Sequence, residues 1–131
     1  MNDEKPLIVL VDDNITNLKI GKSALSERYT VATAPSAEKL FVLLEGIQPV
    51  LILLDIDMPI TDGYEALKIL KANQKFKDIP VIFLTGLADS HNKEEGFNLG
   101  AVDYITKPFE PQALIASIEK HSLEKIGGNE S

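Results

Sequence analysis

The stretch Leu51-Ile52-Leu53-Leu54-Asp55-Ile56-Asp57-Met58-Pro59 decides the fold class. Its four consecutive aliphatic residues are typical of a strand buried on both faces, because a strand with one wet face alternates apolar and polar residues. Asp55 stands where this strand emerges from the core. In open parallel sheets, ligands bind outside the carboxyl ends of the strands, so Asp55 is a candidate reactive group. An aspartate that only caps the following turn is the plainer interpretation.

Four other apolar runs have the character of strands, and segments of helical length separate all five. The five runs cover residues 7–11, 29–34, 50–54, 80–84 and 102–105. The run at 29–34 is short and half polar, which predicts an edge strand. Strands that alternate with helices predict an α/β fold with a parallel sheet and right-handed crossovers.

Capping residues and apolar spacing predict five helices. They lie within 14–27, from Ser36 to Glu45, after the capping-box sequence Asp62-Gly63-Tyr64-Glu65, within 89–99, and from Pro111 onward. The fourth helix has only Phe97 and Leu99 as clear apolar anchors. We therefore expect it to be the least firmly packed of the five.

Composition limits the classes of function. The chain has 131 residues, of which 44% are hydrophobic and 25% charged, and this favours one globular domain. A net charge of −7 argues against a surface that binds nucleic acid or an anionic membrane. The chain has no cysteine, which excludes disulfides, thiolate metal sites and cysteine nucleophiles. We find no signal peptide or membrane-spanning run, so the expectation is a cytoplasmic domain with a flexible tail at 127–131.

Polar residues follow four of the five predicted strands. They are Asp12 and Asp13 after the first, Asp55 and Asp57 after the third, Thr85 after the fourth, and Thr106, Lys107 and Pro108 after the fifth. Because the carboxyl ends of parallel strands meet at one edge of the sheet, we expect these residues to converge. A turn acid, a helix cap or a surface lysine would explain each of them singly. Their shared position favours one functional cleft.

The residue types in this cleft restrict its chemistry. Neighbouring carboxylates repel one another, and a hard divalent cation is the usual remedy. Magnesium fits best, because it takes one or two carboxylates, keeps several waters and shares a phosphoryl oxygen. The nucleophile on offer is a carboxylate, and its attack on phosphorus gives an acyl phosphate.

Four short motifs, in this order and spacing, resemble the receiver domains of two-component response regulators of the chemotaxis-regulator type. They are Val9-Leu10-Val11-Asp12-Asp13-Asn14, Leu53-Leu54-Asp55-Ile56-Asp57-Met58-Pro59 with Asp62-Gly63, Phe83-Leu84-Thr85-Gly86, and Tyr104-Ile105-Thr106-Lys107-Pro108-Phe109. The resemblance covers roughly residues 7–126. It implies a receiver domain at 1–126 with a flavodoxin-like, doubly wound sheet of five parallel strands in the order 2-1-3-4-5.

The resemblance also implies a role for each residue of the cleft. Asp55 would accept a phosphoryl group from a phosphohistidine on a sensor histidine kinase or phosphotransfer protein. Magnesium would be held by Asp13, Asp55 and the backbone carbonyl of Asp57, with Asp12 acting largely through water. Thr85 and Lys107 would contact the phosphoryl group. Such a domain catalyses its own phosphorylation and dephosphorylation without being a multiple-turnover enzyme.

Three further expectations come from the family. Thr85 and Tyr104 would form a switch, in which Tyr104 turns inward and alters a face made by the fourth helix, fifth strand and fifth helix. That face would bind an output partner or a second copy of the chain. The Lys107–Pro108 bond would be cis. Asp57 and Leu87 would flank the path of an attacking water, and because neither orients it well we expect dephosphorylation in minutes or slower.

Two other classes of function remain open. Asp55-Ile56-Asp57 after an apolar strand imitates the nucleophile motif of haloacid-dehalogenase-type phosphatases, although here the acid pair Asp12-Asp13 comes first. A flavodoxin-like cofactor module has the same topology, but those two acids would repel a flavin phosphate. His91 and His121 lie on polar helices and are interpreted as surface residues.

Overall fold

Five strands and five helices alternate along the chain in the computed structural model, which describes residues 5–86 and 93–122. In chain order they are β1 (Leu7–Val11), α1 (Ile15–Leu25), β2 (Thr30–Ala34), α2 (Ala37–Leu44), β3 (Leu51–Asp55), α3 (Gly63–Lys71), β4 (Val81–Gly86), α4 (Lys93–Leu99), β5 (Asp103–Lys107) and α5 (Pro111–His121). All strand pairs are parallel, and the order β2-β1-β3-β4-β5 confirms the predicted sheet. Leu87, His91 and the predicted tail lie outside the described residues.

Three of the five strands, β3, β4 and β5, end later than the apolar runs that predict them. Asp55 is the last residue of β3, Thr85 lies within β4, and Lys107 closes β5. Parallel pairing continues to the ends of these strands, where Asp55 is opposite Leu84 and Lys107 is opposite Gly86. The polar groups are therefore held by the sheet itself, which is stiffer than a loop.

The central strands are buried on both faces, as their unbroken apolar runs predict. On β3, Ile52 and Leu54 belong to the core beneath α2 and α3, whereas Leu51 and Leu53 belong to the core beneath α1 and α5. The strand β2 is an edge strand, as predicted. A sheet covered on both faces leaves its carboxyl edge as the place where polar groups can meet solvent.

Side-chain caps fix the beginnings of three helices. Asn14, Ser36 and Asp62 each accept a hydrogen bond from the backbone N–H three residues further on. Pro111 lies in the first turn of α5, as predicted. In the described part of the chain, every helix is too short or too polar to cross a membrane.

Candidate functional site

An acidic pocket lies at the carboxyl edge of the sheet, where β1 and β3 are neighbours. Asp12, Asp13 and Asp55 each place one carboxylate oxygen within 4.8 Å of the others. Asp12 is 0% exposed and Asp55 is 1% exposed, whereas Asp13 faces solvent. The predicted convergence of these three acids is confirmed. Two buried carboxylates side by side are unfavourable unless a cation compensates them.

Lys107 supplies a positive charge from β5. Its Nζ lies 3.1 Å from Asp55 Oδ1 and 3.3 Å from Asp12 Oδ2. Burial works against the charge on Lys107, but the attraction of Asp55 and Asp12 outweighs it and raises the pKa of the ammonium. The Lys107–Pro108 bond is cis, as predicted. One lysine thus compensates part of the negative charge of three acids.

Two donors from the start of α1 orient Asp12. The Asn14 backbone N–H donates to Asp12 Oδ1 at 2.9 Å, and Asn17 Nδ2 donates to Asp12 Oδ2 at 3.2 Å. Sequence reasoning missed Asn17. The available signal was an amide side chain in the first turn of a helix that begins at the pocket. With Lys107, these donors leave neither oxygen of Asp12 unpaired.

The two oxygens of Asp55 differ in their surroundings. Oδ1 accepts hydrogen bonds from the Asp57 backbone N–H at 3.2 Å and from Lys107. Among the described residues, Oδ2 is the one buried side-chain polar atom without a hydrogen-bond partner. A buried carboxylate oxygen without a donor is costly, so this atom marks a place for a ligand.

The protonation of Asp55 reflects the same crowding. Burial, followed by the charge of Asp12, raises its pKa from 3.8 to about 7, against the opposing effect of Lys107. A carboxyl group with a pKa near neutrality is typical of functional sites. A cation bound in the pocket would offset its negative charge, lower the pKa of Asp55 and restore the charged, nucleophilic form of that carboxylate.

The first residue of α3, Gly63, packs closely against the backbone of Asp55 and Ile56. A Cβ built on Gly63 would lie 2.6 Å from the Asp55 carbonyl oxygen and 2.7 Å from Ile56 Cα. Both are backbone atoms that no side-chain rotation can move. The Gly63 N–H donates to the Ile56 carbonyl at 2.8 Å. Only glycine fits at this position, which explains physically why Gly63 follows the capping residue.

The loop after Asp55 contains a strained turn. The Thr61 N–H donates to the Pro59 carbonyl at 2.8 Å, and the residue between them, Ile60, has φ of 71°. A γ-turn with positive φ is rare and strained, especially with a β-branched side chain. Ile60 is 94% exposed, and the Thr61 hydroxyl donates to Glu38 Oε2 at 2.7 Å.

We expect Ile60→Gly to raise the free energy of unfolding by about 1 kcal/mol, because glycine removes the left-handed strain while little burial is lost. The gain is partly offset by the larger backbone entropy of glycine in the unfolded chain. Urea unfolding measures the difference, with Ile60→Val as the matched control that keeps the β-branch. A glycine variant less stable than wild type would show that the turn carries no strain.

An aromatic cluster lies on the α3–α4 side of the same edge. The Tyr104 ring packs on Phe83 and Phe97, with centroid distances of 5.5 and 5.1 Å. Thr85, the predicted partner of Tyr104, is buried near the end of β4. The Tyr104 ring is half-buried in this structure. Its inward turn on phosphorylation stays a prediction. The cluster includes Tyr64, which sequence reasoning used only to recognise a capping box.

His121 is partly exposed, and it has an acidic partner that its interpretation as a surface residue did not include. Its Nε2 lies 3.3 Å from Asp103 Oδ2, and its side chain is 20% exposed. The Ser117 hydroxyl donates to the same oxygen at 2.7 Å. The sequence could not show this because the contact joins α5 to the start of β5, a pairing set by tertiary structure.

Comparison with known proteins places the chain in a family. A family model for the response regulator receiver domain matches residues 8–119. A probable transcriptional regulator, ycf27 of Cyanophora paradoxa, is 40% identical over 119 residues, which are 90% of this chain and 48% of that protein. The chain spans about half or less of the length of the curated relatives it matches.

Solved structures agree with this assignment. A putative response regulator from Chloroflexus aurantiacus superimposes with a TM-score of 0.83 at 30% identity, covering 89% of this chain and 97% of that one. The receiver domain of sensor histidine kinase PA1611 from Pseudomonas aeruginosa, with a magnesium ion coordinated in its active site cleft, gives 0.81 at 27% identity, covering 89% and 97%. Because residues 8–119 contain all but the first residue of the sheet and every acid of the pocket, this chain belongs to the receiver domains of two-component response regulators.

Proposed function

We propose that this domain accepts a phosphoryl group on Asp55 from a phosphohistidine of a sensor histidine kinase or phosphotransfer protein. The observation that carries the proposal is Asp55 Oδ2, a buried carboxylate oxygen without a hydrogen-bond partner among the described residues. It lies beside Asp12, Asp13 and the ammonium of Lys107. A nucleophilic oxygen needs one free lone pair and an orienting contact on its other oxygen, and Asp55 has both.

The transfer is a substitution at phosphorus. Asp55 Oδ2 attacks the phosphorus atom, a new O–P bond forms, and the N–P bond to the histidine ring breaks. The departing ring nitrogen keeps the electron pair, and the imidazole takes up a proton from solvent. The aspartyl phosphate that results is an acyl phosphate, which water can later cleave to regenerate the carboxylate.

Two side chains would contact the transferred group. The Nζ of Lys107 already lies 3.1 Å from Asp55, so it can follow the negative charge onto the phosphoryl oxygens. Thr85, on the adjacent strand β4, would donate its hydroxyl to another of those oxygens. Both groups are fixed by the sheet before the reaction, and preorganised donors stabilise a transition state without reorganisation.

The donor set fits magnesium. Three carboxylates with oxygens within 4.8 Å hold more negative charge than Lys107 compensates, and hard oxygen ligands suit this ion. Asp13, Asp55 and the backbone carbonyl of Asp57 would hold it, with Asp12 acting largely through water. Bound there, magnesium would neutralise the acids and the phosphoryl oxygens.

The output would be carried by Thr85 and Tyr104. A hydroxyl drawn toward the phosphoryl group leaves space that the neighbouring aromatic ring can enter, and this alters the face formed by α4, β5 and α5. That face would bind an output partner or a second copy of the chain. Dephosphorylation would be slow, because Asp57 is poorly suited to orient water; the second flanking residue, Leu87, lies outside the described residues.

We expect a small-molecule phosphodonor to add the mass of one phosphoryl group to the wild-type protein with magnesium, and none with a chelator. Asp55→Asn should take up none in either condition. Intact mass spectrometry reads the result, with Asp78→Asn, at the opposite edge of the sheet, as the matched control. Normal labelling of Asp55→Asn would contradict the proposal. Repeated turnover of a phosphate ester would favour the phosphatase class, and a bound flavin would favour the flavodoxin class.

A further inference from the structure

Two tyrosine hydroxyls meet beside the core, although they belong to elements far apart in the chain. Tyr64 lies in the first turn of α3, and its hydroxyl and the hydroxyl of Tyr104 on β5 share a hydrogen bond. Both rings pack on Phe83, with centroid distances of 5.3 and 5.5 Å. The hydrogen bond therefore links α3 to β5 across the Phe83 side chain of β4.

Gly96 on α4 completes this arrangement. A Cβ built on Gly96 would lie 1.8 Å from the Tyr104 hydroxyl oxygen and 2.8 Å from its Cζ. The Gly96 backbone also hydrogen-bonds to that hydroxyl. The Tyr104 ring can occupy its place only because residue 96 has no side chain, and any other residue would push the ring away.

We propose that Tyr64 is a positioning residue that holds the Tyr104 ring over Gly96 before any phosphorylation. We call the three residues Tyr64, Tyr104 and Gly96 the tyrosine latch. Phe83 packs on both rings, and Tyr104 also contacts Phe97 and the Gly96 backbone, but the Tyr64 hydroxyl is the polar contact that reaches Tyr104 from α3. The latch joins three elements, α3, α4 and β5, at one point.

The latch also has a backbone connection to the acidic pocket. Tyr64 directly follows Gly63, whose N–H donates to the Ile56 carbonyl at 2.8 Å, and Ile56 directly follows Asp55. Gly63 packs against the backbone of both of those residues. A shift of the backbone at Asp55 therefore reaches Tyr104 through Tyr64, along a route that does not pass through Thr85.

The test uses Tyr64→Phe, which keeps the ring and its packing on Phe83 and removes only the hydroxyl. The chain has three tyrosines, so ¹³C-tyrosine ring spectra have few signals and are assigned by substitution. In the unphosphorylated protein we expect the Tyr104 ring and Gly96 amide signals to shift. A paramagnetic cosolute should then broaden the Tyr104 signals more than in the wild type, because loss of one hydrogen bond shifts the equilibrium toward an exposed ring by roughly threefold to tenfold. Tyr29→Phe is the matched control and should change neither.

A second variant approaches the latch from the other side. Gly96→Ala keeps both hydroxyls and fills the place of the ring, so it should expose Tyr104 in the same way. If this variant is unfolded, Tyr64→Phe decides alone. Unchanged Tyr104 and Gly96 signals in Tyr64→Phe would overturn the proposal, because they would show that the aromatic packing and the Gly96 contact suffice to place the ring.

The link to signalling rests on the proposed function. We expect Tyr64→Phe to take up a phosphoryl group at Asp55 as the wild type does, but to show a larger shift of the Gly96 amide on phosphorylation, because its Tyr104 ring starts from a looser position. An equal shift in both proteins would overturn this link. If the wild type takes up no phosphoryl group, the proposed function fails, whereas the latch is still judged by the unphosphorylated spectra.

Discussion

Asp55→Asn should be more stable to unfolding than the wild type by about 2–4 kcal/mol at pH 8 in the presence of a metal chelator. Burial, followed by the charge of Asp12, raises the pKa of Asp55 from 3.8 to about 7 in the folded protein. The charged form is therefore destabilised in the folded state and not in the unfolded chain. Asparagine keeps the shape of the side chain and removes the charge. The lower figure allows for water entering the pocket.

The pH dependence of this gain has a definite sign. A group whose pKa is higher in the folded state contributes stability below its unfolded pKa, and that stability is lost as the pH rises through the folded pKa. The wild type should therefore lose stability between about pH 4 and pH 7, and the advantage of Asp55→Asn should shrink below about 1 kcal/mol at pH 4. Urea unfolding across this range measures the difference, with Asp78→Asn as the control. An advantage that is equal at pH 4 and pH 8 would contradict the assigned pKa.

Lys107→Met should slow phosphorylation of Asp55 by about a hundredfold to a thousandfold, the usual loss when one preorganised donor to the transferring group is removed. The ammonium of Lys107 lies between Asp55 and Asp12, at 3.1 and 3.3 Å. Methionine retains most of the length of the side chain without the charge. The incoming phosphoryl group would then meet two buried carboxylates with less compensation.

Single-turnover labelling by a small phosphodonor, followed by intact mass spectrometry, measures the rate for Lys107→Met. Lys120→Met, on the exposed side of α5, is the matched control and should label at the wild-type rate. Thermal unfolding of Lys107→Met shows whether the variant is folded. A folded variant that labels as fast as the control would remove Lys107 from the reaction.

The sheet and the acidic pocket were accessible from the sequence because both depend on local patterns. The unbroken run ending at Asp55 indicated a strand buried on two faces, and the polar residues at the strand ends indicated one shared edge. Strand order came from the family resemblance, since apolar runs alone do not order a parallel sheet. The ends of the strands were harder to predict from the sequence, because hydrogen-bonded pairing extends β4 to Gly86 and β5 to Lys107, beyond their apolar runs.

The contacts between elements could not be read from the sequence. The hydrogen bond between Tyr64 and Tyr104 joins residues forty positions apart, and each tyrosine also has an ordinary explanation as a packed aromatic. The contact of His121 with Asp103 and the support of Asp12 by Asn17 are of the same kind. These contacts depend on where whole helices lie, and residue spacing within one helix carries no information about that.

The groups of the site come from the ends of four different strands. This affects when, during folding, the domain becomes able to accept a phosphoryl group. Asp12 directly follows β1, whereas Asp55 lies on β3, Thr85 on β4 and Lys107 on β5. Of these four residues, Lys107 is synthesised last. Its strand β5 reaches its place only by pairing with β4. A nascent or partly folded chain therefore lacks the complete pocket. We expect such chains not to be phosphorylated at Asp55, so that only a domain with a fully assembled sheet accepts a phosphoryl group.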